Sequence, residues 1–324
     1  MLTEAHLAGH DSHGAIRVTQ YCRAIRRGRI VPGAPIETLR LTPTIGIFDA
    51  HWNFGPVAMR QVLQEARLRA REVGLFAYGI RRCNHIGRLG HYTERAAREG
   101  FVAWLTVNSI GPATRVAPFG GAEGRLGTNP ISVAFPAPGD PILIDLTTSV
   151  VAEGKLRVYR NAGKPIPEGW ILDAHGRPST DPNDFYGPPP GVLLPFGGVA
   201  AHKGFALSMM VELLSGTLTG AGNVGGAGDH VGNGVFGLLL DVEAFRPLEA
   251  FQEAVARFAE YVKSARPAPG FQEVILPGEP EARTRRQRLQ EGIWIDKTTW
   301  EQLCQEAVYY QVEVPINISD KEPV

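Results

Sequence analysis

The sequence predicts an α/β protein built on a mixed β-sheet. Helical and strand-like segments alternate along the chain, which is typical of α/β proteins. Some consecutive strands, such as 131–135 and 141–145, are joined by links too short for a helical crossover, which favours antiparallel pairing. A sheet that contains both kinds of connection is mixed and not purely parallel.

Helices are predicted where apolar residues recur at helical spacing. The clearest case is 56–73, which Gly74 follows as a C-cap. A short helix should end at Gly9, and the last helix should open at a capping box of Thr298 and Glu301. The other predicted helices are 12–27, 89–99, 202–218 and 247–264.

Strands are predicted where short apolar runs lie between turn residues. These runs are 45–50, 75–81, 101–107, 131–135, 141–145, 235–242, 272–276 and 293–295. The stretch 160–192 is rich in Pro and Gly, so it should form long loops around a short helix.

The composition is that of an ordinary globular protein. The 324 residues include 44% hydrophobic and 20% charged residues, and 33 basic side chains balance 33 acidic ones. The sequence has no prominent block of basic residues that would indicate a nucleic-acid or membrane partner. The three cysteines follow no CxxC spacing, which favours a reducing compartment without disulfides or a zinc ribbon. With no signal pattern and no long apolar run, we expect a cytoplasmic protein.

A GxGxxG string occurs at Gly220, Gly222 and Gly225, with Asp241 further on. The dinucleotide-binding fingerprint must follow a strand and open a helix. Here it follows the predicted helix 202–218 and runs into more glycine. We therefore interpret it as a loop between a helix and a strand, and we do not expect a standard Rossmann fold.

Three histidines, His6, His10 and His13, are spaced by four and three residues. A metal site would need all three on one continuous helix, but Gly9 interrupts it. No HExxH motif is present. We expect no metal.

Residues His13, Arg17 and Tyr21 fall on one stripe of the predicted helix 12–27. Imidazole can move protons near neutral pH, guanidinium can clamp a carboxylate, and a phenol can donate one directed hydrogen bond. An exposed polar helix face would show the same spacing, so both readings stay open on the spacing alone.

Four other polar residues could carry chemistry. His85 lies in a turn after a strand, where it is either a general acid–base or an ordinary turn histidine. The Asn129 amide could read a polar ligand, and Asp145 could reach a ribose or cap a turn. Lys203 begins an apolar helix, where it opposes the helix dipole, so it either binds an anion or faces solvent.

Taken together, these segments resemble the malate/L-lactate dehydrogenase family of the second, non-Rossmann type. That family includes L-sulfolactate and ureidoglycolate dehydrogenases and Δ1-piperideine-2-carboxylate reductase. The motifs that carry the resemblance occur in order over nearly the whole chain: Asp11–Gly14, Asn84–Gly87, Pro118–Gly121, Gly127–Pro130, Gly154–Lys155, Ile166–Trp170, His202–Phe205 and Pro277–Glu279. One departure is His91, where an aromatic residue is common.

The resemblance implies a mixed-sheet NAD(P)-binding fold of the L-sulfolactate dehydrogenase type and a homodimer, or a higher assembly of dimers, whose subunits both shape the cleft. It implies His85 as the proton acceptor and His13 as a second catalytic residue, which positions the substrate. It implies Arg17, Tyr21 and Asn129 as substrate-binding residues. The implied cofactor-binding residues are Ser109, Thr128, Leu143, Ile144, Asp145, Lys203, Pro277, Gly278 and Glu279.

The expected reaction is reversible hydride transfer between NAD(P) and a small 2-hydroxy acid, with malate and NAD as first candidates and NADP as the alternative. A related reductase of lactate, sulfolactate, ureidoglycolate or a cyclic imine acid is the nearest rival. A non-catalytic nucleotide-binding protein is a rival from another class, although it would not need the proton carrier. We expect a mostly helical substrate and dimerisation part, 1–60 with 280–324, and a cofactor part over 61–279.

Overall fold

A computed structural model describes residues 1–112, 114–161, 163–226 and 230–314. The helices are α1 Leu2–Leu7, α2 Ile16–Arg26, α3 Gly55–Val73, α4 Gly90–Arg98, α5 Glu153–Asn161, α6 Pro182–Tyr186, α7 Ala201–Val211, α8 Leu248–Lys263, α9 Glu279–Glu291 and α10 Lys297–Tyr309. The strands are β1 Glu37–Leu41, β2 Ile45–Asp49, β3 Leu75–Cys83, β4 Phe101–Ile110, β5 Ile131–Phe135, β6 Ile142–Leu146, β7 Ile171–Leu172, β8 Pro178–Ser179, β9 Val192–Leu193 and β10 Gly232–Asp241.

Seven strands form one mixed sheet in the order β1-β2-β3-β10-β4-β5-β6. Only β2 and β3 run parallel, and helix α3 connects them. The other five neighbouring pairs are antiparallel. Strands β7, β8 and β9 form a small separate sheet within the Pro- and Gly-rich stretch. The predicted mixed sheet is therefore confirmed.

The two faces of the main sheet are covered differently, as alternation along β4 shows. Phe101, Ala103, Leu105 and Val107 point into the apolar core that α3 and α4 cover. On the opposite face, Thr106 bonds with Ser215 at 2.8 Å, in the segment that continues α7. The sheet is thus sandwiched between helices, and its strand ends are left for loops that carry polar residues.

Several element predictions were wrong in detail. The predicted helix 12–27 divides into a 3₁₀ turn, Asp11–His13, and α2, because the extended backbone of Gly14 interrupts it. No strands occur at 272–276 or 293–295 within the described chain, where apolar side chains such as Phe271 and Trp294 lie exposed without a partner strand. The side chain that caps α10 is Asp296, which accepts from the Thr299 amide at 2.9 Å.

The GxGxxG glycines lie where the sequence placed them, in a loop between a helix and β10. All three have positive φ, which suits glycine in a loop. Strands β1 and β2 join the main sheet, so the sheet draws on both parts of the predicted domain division; the division itself stays a prediction. Across the described ranges, no helix is long and apolar enough to cross a bilayer.

Candidate active site

The centre of the site is a hydrogen bond between a helix and a turn. The Tyr21 hydroxyl, from α2, lies 2.8 Å from Nδ1 of His85, in the turn after β3. Tyr21 is buried, and its ring packs edge-on against Phe54. The bond orients the His85 ring, because an imidazole whose Nδ1 is engaged has only Nε2 left to meet a substrate.

His13 stacks on the same ring. The two imidazoles are stacked with their centroids 5.5 Å apart and their planes 22° from parallel. Ser12 Oγ lies 3.1 Å from His13 Nδ1. His13 therefore joins Tyr21 at His85, although it belongs to the 3₁₀ turn and not to α2.

The surroundings keep both imidazoles neutral. Burial, helped by the nearby Arg17 charge, holds the pKa of His85 well below its ordinary 6.5. The same causes lower the pKa of His13 to about 3. Burial raises the pKa of Tyr21 to about 12, against the opposing effect of Arg17. At neutral pH, His85 can accept a proton while Tyr21 keeps its own.

Arg17 brings a positive charge to this pair. Its Nε donates to the Ser12 carbonyl at 2.7 Å, and one terminal nitrogen donates to Gln20 Oε1 at 2.5 Å. No carboxylate of the described residues comes within ion-pair distance of it. A guanidinium held by neutral acceptors beside two histidines can take up an external carboxylate.

Two asparagines hold the His85 turn. Asn84 Nδ2 lies within hydrogen-bond distance of three carbonyl oxygens, those of Arg29 (3.1 Å), Trp52 (2.6 Å) and Asn53 (3.1 Å). On β10, Asn233 Oδ1 accepts from the Ile86 amide at 3.1 Å. Asn233 was missed from the sequence, since nothing local marks it as a partner of a turn 147 residues away.

A second group of predicted site residues lies near the end of β4 and before the start of β5. Ser109 on β4 pairs with Asn233, and Gly127 and Asn129 precede β5. A Cβ built on Gly127 would lie 2.7 Å from Asn129 Oδ1 and 3.0 Å from Ser109 Oγ. Asn129 Oδ1 is buried without a hydrogen-bond partner. Glycine at position 127 therefore lets Asn129 and Ser109 pack closely against the backbone, where a larger residue would not fit.

Asn129 is fixed by a buried carboxylate that the sequence analysis did not identify. Glu212 opens the π-helical continuation of α7, Glu212–Leu218, and it accepts from the amides of Asn129, Asn108 and Asn223 at 2.9–3.0 Å. The glutamate is only 4% exposed. The sequence analysis missed Glu212 because it lies within a run of apolar residues. A single Glu in the most apolar helix could nevertheless have indicated a buried carboxylate with hydrogen-bond partners.

A third group lies at β6 and the start of α9. The Leu143 amide donates to the Pro277 carbonyl at 3.1 Å, and Gly278 packs on Leu143 so closely that a Cβ would lie 2.9 Å from it. Glu279 pairs with Lys263 at 2.6 Å. Leu143 and Gly278 line a small cavity of about 30 Å³ that Arg88 also borders.

Asp145 is engaged within the protein. Its Oδ2 accepts from Arg88 Nε at 3.1 Å and from the Gly90 amide at 3.0 Å. Burial raises the pKa of the Asp145 carboxyl, and Arg88 opposes that shift. Its neighbour Ile144 is half-buried in the middle of β6. The predicted contacts of Asp145 and Ile144 with a ribose stay predictions.

Two predicted residues stand apart from these groups. Thr128 is half-buried, and its carbonyl accepts from the Thr148 amide at 2.9 Å. Lys203 lies exposed in the first turn of α7, and within the described chain no carboxylate pairs with it. Their roles toward a cofactor stay predictions.

The three spaced histidines separate in the fold. His6 approaches Asp11 at 3.8 Å, His10 pairs with Glu281 at 3.2 Å, and His13 faces His85. In the ranges that the structure covers, no cluster of three or more metal-ligating side chains occurs.

Comparison with known proteins agrees with this arrangement. A family model for malate/L-lactate dehydrogenase matches residues 1–304. The chain is 37% identical to an L-lactate dehydrogenase of Cupriavidus necator, over 97% of this chain and 90% of that protein. It is 36% identical to a malate dehydrogenase of Pyrococcus horikoshii, over 96% and 88% of the two chains.

The fold matches a solved structure of sulfolactate dehydrogenase from Methanocaldococcus jannaschii with a TM-score of 0.86. That match covers 96% of this chain and 89% of the other, at 31% identity. The relatives are named as dehydrogenases of different hydroxy acids, so the class of reaction is oxidoreduction while the substrate varies among them. The chain belongs to the malate/L-lactate dehydrogenase family.

Proposed function

We propose that the protein transfers a hydride between NAD(P) and a small 2-hydroxy acid, with malate and its 2-oxo product oxaloacetate as the first pair. NAD is the first candidate cofactor and NADP the second. The observation that carries the proposal is the Tyr21–His85 hydrogen bond beside Arg17, which pairs with no carboxylate of the described residues. It combines a neutral proton acceptor with a cation for a carboxylate, and a 2-hydroxy acid needs both.

His85 would act as the general base when the hydroxy acid is oxidised. With Nδ1–H donated to the Tyr21 oxygen, Nε2 carries the lone pair that accepts the hydroxyl proton. The lowered pKa of His85 keeps this lone pair free at neutral pH. In the reverse direction the same nitrogen returns the proton to the oxygen of the 2-oxo acid.

Arg17 would hold the substrate carboxylate through two parallel hydrogen bonds and so fix the orientation of carbon 2. His13, stacked on His85, would close one side of the site and contact the hydroxyl or the carboxylate. A bound nicotinamide supplies the hydride chemistry. The residues that would hold the dinucleotide are Ser109, Thr128, Lys203 and the group formed by Leu143, Gly278 and their neighbours, whereas Asn129 would contact the substrate.

A substrate screen tests the proposal. Malate, lactate, sulfolactate and ureidoglycolate are offered with NAD and NADP, and piperideine-2-carboxylate with the reduced cofactors, while the nicotinamide absorbance is followed. We expect turnover with at least one 2-hydroxy acid. Turnover of the cyclic imine alone would move the proposal to an imine reductase, and cofactor binding without any turnover would favour a non-catalytic protein.

We also propose that two copies of the chain associate, with the face of α7 and its continuation as the contact. Large apolar side chains lie exposed there, including Met209 at 40%, Leu213 at 53% and Leu218 at 64%. Exposed apolar patches of this kind mark interaction surfaces. Sedimentation of the native protein and of Leu213→Asp tests this: the wild type should be a dimer, and the variant should dissociate.

A further inference from the structure

The residue that follows His85 is held by two side chains from different elements. The amide of Ile86 donates to Asn233 Oδ1 on β10 at 3.1 Å. The carbonyl of Ile86 accepts from the Tyr92 hydroxyl on α4 at 2.5 Å. Ile86 is completely buried, and Tyr92 and Asn233 are only 6% and 8% exposed. Both polar groups of Ile86 therefore depend on these two side chains and not on water.

The direction of each hydrogen bond is determined by its surroundings. Asn233 Nδ2 lies 3.1 Å from the Asn108 carbonyl oxygen and 3.2 Å from the Gly232 carbonyl oxygen. Turning the amide over would set its oxygen against these two acceptors. Burial raises the pKa of the Tyr92 hydroxyl well above its ordinary value, so the hydroxyl keeps its proton at neutral pH. Asn233 is therefore the acceptor at this turn, and Tyr92 is the donor.

These contacts lie on the two peptide groups that follow His85. The Ile86 amide belongs to the planar peptide group between His85 and Ile86, so the contact with Asn233 limits rotation about the Cα–C bond of His85. The Ile86 carbonyl belongs to the next peptide group, which Tyr92 holds. The backbone cannot turn at His85 without breaking one of these hydrogen bonds, and the imidazole would turn with it.

A third element packs against the same backbone. At Gly55, the first residue of α3, a Cβ would lie 2.3 Å from the Asn84 carbonyl oxygen and 2.5 Å from the His85 carbonyl oxygen. Only glycine permits so close an approach. The backbone of the turn is thus confined by α3, α4 and β10, and the imidazole is held at Nδ1 by Tyr21.

The contact with Tyr92 is more consequential for the position of His85 than for the fold. Phenylalanine would fill the same space without a hydroxyl that must be removed from water. The net contribution of one hydrogen bond to stability is modest. A displacement of about 1 Å at a reacting group, in contrast, can lower the rate about 10²-fold.

We propose that Tyr92 is a positioning residue that, together with Asn233, holds the backbone after His85 so that Nε2 faces the substrate hydroxyl. Tyr92 acts through Ile86 and does not touch the substrate. The inference rests on the proposed function, since the position of His85 matters to the reaction only if His85 is the proton acceptor.

Tyr92→Phe tests the proposal, because it removes one hydrogen bond and keeps the ring. We expect kcat for the hydroxy acid to fall about tenfold, as the imidazole loses its fixed position. KM should stay within about twofold, because Arg17 and not the turn would hold the substrate carboxylate. Steady-state kinetics measure both constants, and an unchanged kcat would overturn the proposal.

The matched control is Thr93→Val, at the next position of α4. It removes the buried hydrogen bond between Thr93 Oγ1 and Ser132 Oγ, which are 2.7 Å apart, without touching the turn. Its kcat should equal that of the wild type, even where urea unfolding shows the same loss of stability as in Tyr92→Phe. Equal losses of kcat in the two variants would show a general defect of α4 and would overturn the proposal.

A second comparison identifies the route of the effect. In a His85→Ala background, Tyr92→Phe should change kcat by less than about twofold, because no imidazole is left to position. A tenfold loss in both backgrounds would overturn the proposal. If turnover of His85→Ala is too slow to measure, the comparison with Thr93→Val decides.

The outcomes also distinguish this proposal from the proposed function. If His85→Ala turns over the hydroxy acid as fast as the wild type, the proposed function fails, and the role of Tyr92 fails with it. If His85→Ala loses turnover and Tyr92→Phe does not, only the role of Tyr92 fails.

Discussion

Asn233, on the central strand β10, accepts a hydrogen bond at 3.1 Å from the amide of Ile86, the residue that follows His85. Its Nδ2 donates to the Asn108 carbonyl at 3.1 Å, next to Ser109. One side chain thus joins the turn of the proton acceptor to the strand of the predicted cofactor contact. The distance between the two halves of the site is fixed by the sheet and not by flexible loops.

His85→Ala should lower kcat for the hydroxy acid by about 10²–10⁴-fold, because it removes the proton acceptor. Tyr21→Phe should lower it by about tenfold, since the His85 ring remains but loses its orienting hydrogen bond. Steady-state kinetics and circular dichroism check both. His175→Ala, a substitution of an exposed histidine, is the control. An unchanged kcat in His85→Ala would refute the assignment.

Arg17→Ala should lower kcat/KM by about a hundredfold, because a charge-assisted contact to the substrate carboxylate is lost. Arg17→Lys keeps the charge without the two-pronged geometry, so its kcat/KM should lie between those of the wild type and Arg17→Ala. Arg23→Ala, on the same helix but exposed, should behave like the wild type. If Arg23→Ala and Arg17→Ala lose activity equally, a general helix defect explains the result.

Arg88→Met should lower the free energy of unfolding by about 3–5 kcal/mol, because it leaves the Asp145 carboxylate buried without its cation. The two side chains are only 4% and 9% exposed. Arg95→Met breaks the exposed pair with Glu99 and should cost less than about 1 kcal/mol. Urea unfolding measures both, and equal losses would contradict the structural role given to the buried pair.

Acidification should destabilise the folded protein through the buried imidazoles. His13 has a folded pKa of about 3 against an ordinary 6.5, so between these values the unfolded chain binds a proton that the folded chain does not. The free energy of unfolding therefore falls as pH drops through this window, by up to about 1.4 kcal/mol per pH unit for each such group. His85 acts in the same direction.

His13→Gln removes one of these titrating imidazoles. The free energy of unfolding of the variant should therefore fall less between about pH 7 and about pH 5 than that of the wild type. Urea unfolding at the two pH values measures the difference. Parallel losses in both proteins would show that His13 titrates normally.

Much of the secondary structure could be predicted because local patterns determine it. The helix α3 and its Gly74 cap were predicted nearly to the residue, and the rejected GxGxxG string lies in a loop. Strand β1 is exposed along its whole length, and its only apolar residues are Leu39 and Leu41, which is too short a pattern to identify a strand. Helix α9 is almost wholly polar and buries no side chain, so helical periodicity could not identify it.

The sequence likewise revealed some residues of the site and not others. Two short segments were recognised because each carries chemically active side chains: one contains His13, Arg17 and Tyr21, and the other contains His85. The fold brings the two segments together. Glu212 and Asn233 act on residues more than 80 positions away, so only the tertiary structure reveals their partners. Chemically active groups were visible in the sequence, whereas the groups that hold them were not.

The N-terminal segment that carries His13 and Arg17 is held by residues near the other end of the chain. Arg26 forms a two-pronged pair with Glu306, 280 residues away, and Asp11 pairs with Arg288. During synthesis, the wall that would hold the substrate must wait until α9 and α10 have left the ribosome. Loop closure over such separations makes this step slow. The strands of the main sheet all precede α9 in the chain, so we expect the sheet to form before this wall is complete.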